Sequence, residues 1–159
     1  MQSLDFNLPA LVIAYGNTLR ADDAVAAAIA GELRRLVSPR HAEILTVHQL
    51  TPELADRLTR SRLAIFIDAD GQTPPGQVRV EPLSCGRQEP QSLGHQQSPE
   101  NLLKMAQYLY GFAPPALLFH IGAADFSFHE GLSPNVREAV PRMAQEIFDA
   151  IEHQHAFVV

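Results

Sequence analysis

Apolar positions follow two rhythms along this chain. Leu11-Val12-Ile13-Ala14-Tyr15 is an unbroken apolar run closed by Gly16-Asn17, as expected of a buried strand. From Asp22 to Leu36 the rhythm becomes helical, with Val25, Ile29, Leu33 and Leu36 recurring in an Ala-rich stretch. Asp22 reads as the N-cap of that helix and Asp23 as a residue of its first turn. Ser38-Pro39 ends it, and Glu43 to Leu50 reads as a second strand. Thr51-Pro52-Glu53 opens a short helix to about Arg60, with Thr51 as cap and Pro52 at the first position. Leu63 to Ile67 is a third strand that runs into Asp68. After the turn at Pro74-Pro75-Gly76, Val78 to Glu81 alternates like a strand with one wet face, which suits a sheet edge. Leu83 to Gln97 is a polar loop, Pro99 to about Tyr110 a helix, and Ala116 to Ile121 a buried strand. Ser133-Pro134 opens the last helix, with Ser133 as cap, and carries it to about His153.

Strands and helices therefore alternate over most of the chain. Such alternation implies an α/β fold: a mainly parallel, twisted sheet of about five strands with helices on both faces. No internal repeat, linker or low-complexity tract divides residues 1–159, so a single domain is expected.

Composition narrows the function classes. The formal net charge of −6 argues against a general nucleic-acid surface. No apolar stretch approaches the roughly 20 residues of a membrane helix. The first residues lack the charged and apolar regions of a secretory signal. One cysteine, Cys85, rules out an internal disulfide and fits a reducing compartment. The expectation is a soluble, cytoplasmic protein with no membrane or nucleic-acid partner. Cys85, in a Ser-Cys-Gly loop, reads as a spectator thiol.

In open parallel sheets, ligands gather beyond the carboxyl ends of the strands. That rule singles out Gly16 to Asp23, after the first strand, and Asp68-Ala69-Asp70, after the third. The first segment has no G-x-G-x-x-G and no Walker lysine. Asp22 and Asp23 bring negative charge to the place where a phosphate would sit, so the site favours a cation. H-E-x-x-H and G-x-S-x-G are also missing. The long loop carrying His95 has the reach to join the two acidic segments. A mixed carboxylate and imidazole set suits a borderline divalent metal such as nickel or zinc.

Gly16-Asn17-Thr18-Leu19-Arg20-Ala21-Asp22-Asp23 resembles the G-N-x-L-x-x-D-[DE] signature of the hydrogenase maturation endopeptidases. Phe66-Ile67-Asp68-Ala69 resembles that family's second block, and His95-Gln96 falls where the family has a His opening onto a helix. Gly131-Leu132-Ser133-Pro134-Asn135-Val136 resembles its C-terminal block. The four occur in order across almost the whole chain. The resemblance implies a three-layer α/β fold and an endopeptidase that removes the C-terminal extension of a nickel-loaded nickel–iron hydrogenase large-subunit precursor. It also implies nickel contacts at Asp23, Asp68 and His95, nickel carried by the precursor rather than held permanently, and a monomeric enzyme. Asp23 or Asp68 would serve as general base. The chain departs from the family's glycines at Ala14, Ala24 and Ala26. A non-catalytic precursor-binding module and a small-molecule α/β enzyme are the alternative readings.

Overall fold

The computed structural model describes residues 8–86, 89–91 and 97–153. Its elements are β1 (Ala10–Tyr15), a 3-10 turn (Ala21–Ala24), α1 (Val25–Leu36), β2 (Ala42–Val47) and α2 (Leu54–Leu58). β3 (Ala64–Asp70), β4 (Val78–Leu83), α3 (Pro99–Tyr110), β5 (Ala116–Gly122) and α4 (Pro134–Glu152) follow. The strands form one sheet in the order β2-β1-β3-β5-β4. β2, β1, β3 and β5 are parallel, and β4 joins β5 antiparallel at one edge. This is the α/β arrangement that the alternating pattern predicts, with β4 as the predicted edge strand.

The period of two along the buried strands divides the core into two layers. Ala10, Val12, Ala14, Ile65, Ile67, Phe119 and Ile121 face α1 and α4. Leu11, Ile13, Ala64, Phe66 and Leu118 face α2 and α3. β1 and β3 carry apolar side chains on both faces because helices cover both, which explains their unbroken runs. Among the described residues no helix is long and apolar enough to cross a membrane.

α3 matches its predicted span and is capped by Ser98, whose hydroxyl accepts from the Asn101 N–H at 3.1 Å. The three predicted caps differ. α2 is shorter than expected and begins after Glu53, with no side-chain cap from Thr51; the Thr51 carbonyl accepts the Leu54 N–H instead. Ser133 sits at the N-cap of α4 but makes no cap bond. Asp22 lies inside the 3-10 turn and caps nothing, since α1 starts only at Val25. The structure gives Ser133 and Asp22 to each other. The Ser133 N–H and hydroxyl both donate to the Asp22 carboxylate at 2.7 Å.

Candidate functional site

Strand order fixes where a site can form. From β1 the chain crosses to β2 on one side and later returns to β3 on the other. The crevice at the C-terminal ends of β1 and β3 is therefore the switch point of the sheet, where connections diverge and leave space. A cleft of about 270 Å³ opens there, and Asp23, Asp68, Tyr15, Arg20, His48 and Gln97 are among its lining residues.

Asp23 reaches the cleft from the turn that follows β1. That turn needs Gly16, which adopts φ +154°; a Cβ there would come within 2.3 Å of the Asp23 carbonyl oxygen. Asp23 Oδ2 accepts the Asn17 N–H at 2.6 Å, which closes the turn and aims the carboxylate. Among the described residues its second oxygen has no hydrogen-bond donor.

Asp68 arrives differently from the sequence expectation. The segment Asp68-Ala69-Asp70 does not follow β3 but forms its last residues, paired with His120, Ile121 and Gly122 of β5. β5 runs on to Gly122 and so keeps the polar end of β3 in the ladder. Held there, Asp68 is half-buried, and burial pushes its carboxyl up to about 6. A hydrogen bond from the Tyr15 hydroxyl opposes the rise, the charge of Asp23 adds to it, and His120 acts against it. Burial, and then Asp68 itself, push the Tyr15 hydroxyl well above its ordinary range, so it stays protonated and donates. His120, opposite Asp68 in register, is held at 2.7 Å from Glu81 on β4.

Asp70 belongs to the turn and not to the cleft. Its carboxylate accepts from the Thr73 hydroxyl at 2.6 Å and from the Gln72 and Thr73 N–H groups. These bonds, led by the Thr73 hydroxyl, hold it below the usual carboxylate range.

Asp22 is fully buried behind the cleft. Besides Ser133, it accepts the N–H groups of Ala124 at 2.8 Å and Asp125 at 3.0 Å. Burial pushes its carboxyl up, but the bonds from Ser133, Ala124 and Asp125 outweigh this and hold it below the ordinary value. It ties the turn after β1 to the segment joining β5 and α4.

His95 lies outside the described residues. Gln97, two positions later, lines the cleft, and its N–H donates to the Leu50 carbonyl at 3.2 Å. Among the described residues no group of three or more His, Cys, Asp or Glu side chains is placed to hold a metal ion. Sequence reasoning did not single out His48. It follows β2, at the same end of the sheet as Asp23 and Asp68, so the strand-end rule applied to β2 would have found it. Cys85 packs among partly buried side chains against the α2/α3 core, away from the cleft lining.

The chain matches no family model, and no curated protein matches its sequence. Solved structures match its shape. Hydrogenase maturating endopeptidase HybD from Escherichia coli superposes with a TM-score of 0.69 at 22% identity, over 92% of this chain and 94% of that one. The [NiFe] hydrogenase maturation protease HycI from Thermococcus kodakarensis KOD1 gives 0.70 at 17%, over 91% and 93%. The [NiFe] hydrogenase maturation protease HybD from Thermococcus kodakarensis gives 0.64 at 21%, over 91% and 99%. The chain has the fold of the hydrogenase maturation endopeptidases. In this endopeptidase fold three of the four blocks that carry the sequence resemblance fall around one end of the sheet, and His95-Gln96 lies outside the described residues. The first forms the Gly16–Asp23 turn, the second ends β3, and the last supplies Ser133 to Asp22. Of the three departures from glycine, Ala14 and Ala26 are fully buried in the core beside α1, and Ala24 is partly buried at the end of the 3-10 turn.

Proposed function

We propose that this protein is an endopeptidase that removes the C-terminal extension from the nickel-loaded large-subunit precursor of a nickel–iron hydrogenase. The observation that carries this reading is the meeting of Asp23 and Asp68 in one cleft at the switch point of the maturation-endopeptidase fold. Two further features support it. Gln97, two positions after His95, lines the same cleft, and the Gly16–Asp23 segment carries no phosphate-binding glycine motif.

Two carboxylates and the imidazole of His95 are oxygen and nitrogen donors that suit a divalent ion such as nickel. Nickel is cargo of the substrate in this reading. Asp23, with one oxygen fixed by Asn17 and the other without a donor among the described residues, is the first contact for that ion. Asp68 is the better proton acceptor. Its carboxyl sits at about 6, close to neutrality, and so combines an ionised state with more basicity than an ordinary carboxylate. A water held between the scissile carbonyl and Asp68 would lose its proton there as it attacks. The metal shared with the substrate would fix that carbonyl in register with the water.

The test is conversion of nickel-loaded precursor to mature large subunit, followed by intact mass. Wild-type protein should release the extension as one fragment. Asp23→Asn, Asp68→Asn and His95→Ala should each lose processing by at least about a hundredfold, and Cys85→Ser should process normally. Full activity in both Asp23→Asn and Asp68→Asn would end this assignment.

A further inference from the structure

The cleft is bordered by an exposed rim that the site residues do not explain. A parallel bridge pairs Arg20 with His129, so the preceding residues, Leu19 and Phe128, enter it side by side. Leu19 is 58% exposed and Phe128 78% exposed. One exposed apolar side chain needs no explanation, but this pair is held in place. Asp22 accepts the Ala124 and Asp125 N–H groups, and its own N–H donates to the Asp125 carbonyl at 2.9 Å. The Ala21 N–H donates to the His129 carbonyl at 2.8 Å. Within the loop, Asp125 accepts the Ser127 N–H and hydroxyl and pairs with His129 at 2.7 Å. A loop locked at both ends and through its middle presents its aromatic ring without an ordering cost on binding.

Arg20 joins this rim to the cleft. Its Nε donates to the Phe126 carbonyl at 3.0 Å, its guanidinium lies 5.0 Å from the centre of the Phe128 ring, and it lines the cleft beside Asp23. Among the described residues it has no carboxylate partner, so donors remain for a peptide carbonyl. An apolar shelf, a carbonyl donor and a carboxylate-lined cleft in continuous order match an extended polypeptide.

We propose that Leu19, Arg20 and Phe128 form a docking lip on which the precursor seats an apolar residue next to the bond to be cut. The proposal rests on the endopeptidase reading and adds the side chain that the enzyme recognises. It assigns the lip to the substrate and not to a second copy of this chain. Phe128 is exposed and packs on no core cluster, so its loss should spare the fold.

The experiment uses the full-length protein and nickel-loaded precursor, with binding followed by interferometry and cleavage by mass. Phe128→Ser and Leu19→Ser should each weaken binding and raise KM about tenfold, with kcat within about twofold and Tm unchanged. Tyr108→Ser is the control. It lies near the far end of α3, about 14 Å along the helix from Pro99, and should behave as wild type. Wild-type KM and affinity in both lip variants would overturn the proposal, as would a shift in the sedimentation of the free protein from dimer to monomer on Phe128→Ser. Should the wild type bind precursor without cutting it, the endopeptidase reading fails while the lip is still decided by the binding change. Should it neither bind nor cut, both fail.

Discussion

At the scale of single residues, the sequence rule that worked was the carboxyl-end rule for parallel strands. It singled out the two segments that contain Asp23 and Asp68, both of which line the cleft, while the choice of these two residues within the segments came from the family resemblance. It did not reveal their environments. Burial of Asp68 between β1 and β5, and the bond from Tyr15, depend on neighbours 53 positions earlier and about 50 later in the chain. The result is a carboxylate held where its charge is disfavoured. Its pKa is about 6 when folded and near 4 when unfolded. Between those values the folded state binds more protons than the unfolded state, so stability falls as pH rises through that window and stays lower above it. Asp68→Asn removes the cost and still accepts from Tyr15. The variant should be more stable than wild type at pH 8 by about 1–3 kcal/mol, with the difference shrinking toward pH 4. Urea unfolding at the two pH values measures this directly. Equal stability at pH 8 would mean that Asp68 is not strained by its site.

At the scale of elements, patterning located every strand and helix but misread how helix starts are tied down. Asp22 and Ser133 each stand where a cap is expected, three residues or fewer before an apolar helical face, and the local signal is genuine in type. Nothing local reveals that they bond to each other across 111 positions. The same long-range bonding decides what Asp22→Asn does. An ordinary cap would tolerate the change, because Asn caps about as well as Asp. Here every bond into the carboxylate comes from a donor: three N–H groups and one hydroxyl. An amide facing Ser133 sets NH₂ against the Ser133 N–H, and the flipped amide sets it against Ala124 and Asp125. Either orientation sets an N–H donor against the amide NH₂ beside a buried side chain, which should lower stability by about 2–4 kcal/mol. That is a fall in Tm of roughly 5–15 °C for a chain of this length. Scanning calorimetry should find it, along with lost precursor binding as the 124–131 loop and its Phe128 loosen. A change of under about 0.5 kcal/mol, typical of neutral surface substitutions, would mean that the Asp22 contacts do not carry the loop.

At the scale of the whole molecule, the fold was readable because alternating strands and helices with covered faces leave few topologies. The direction of each crossing was not readable, and it is this that creates the cleft. With β2 on one side of β1 and β3 on the other, the two acidic segments stand at the rim of an open crevice with solvent on one side. Such a site suits brief contact with an ion that arrives inside another protein. Two carboxylates, one from the turn after β1 and one from the end of β3, and no thiolate among the described cleft residues make a weak site for a soft or borderline ion, whose tight sites use sulfur and several nitrogens. His95, carried over from the family resemblance, adds one imidazole. The free protein, incubated with nickel and desalted against a chelator, should therefore retain well under one equivalent by elemental analysis. In the presence of nickel-loaded precursor, Asp68→Asn should trap the ion in an uncleaved complex, because the substrate's own ligands stay in place. If the free protein keeps one equivalent through the chelator, the metal is resident and the cleft cannot serve as a check that the precursor has been loaded.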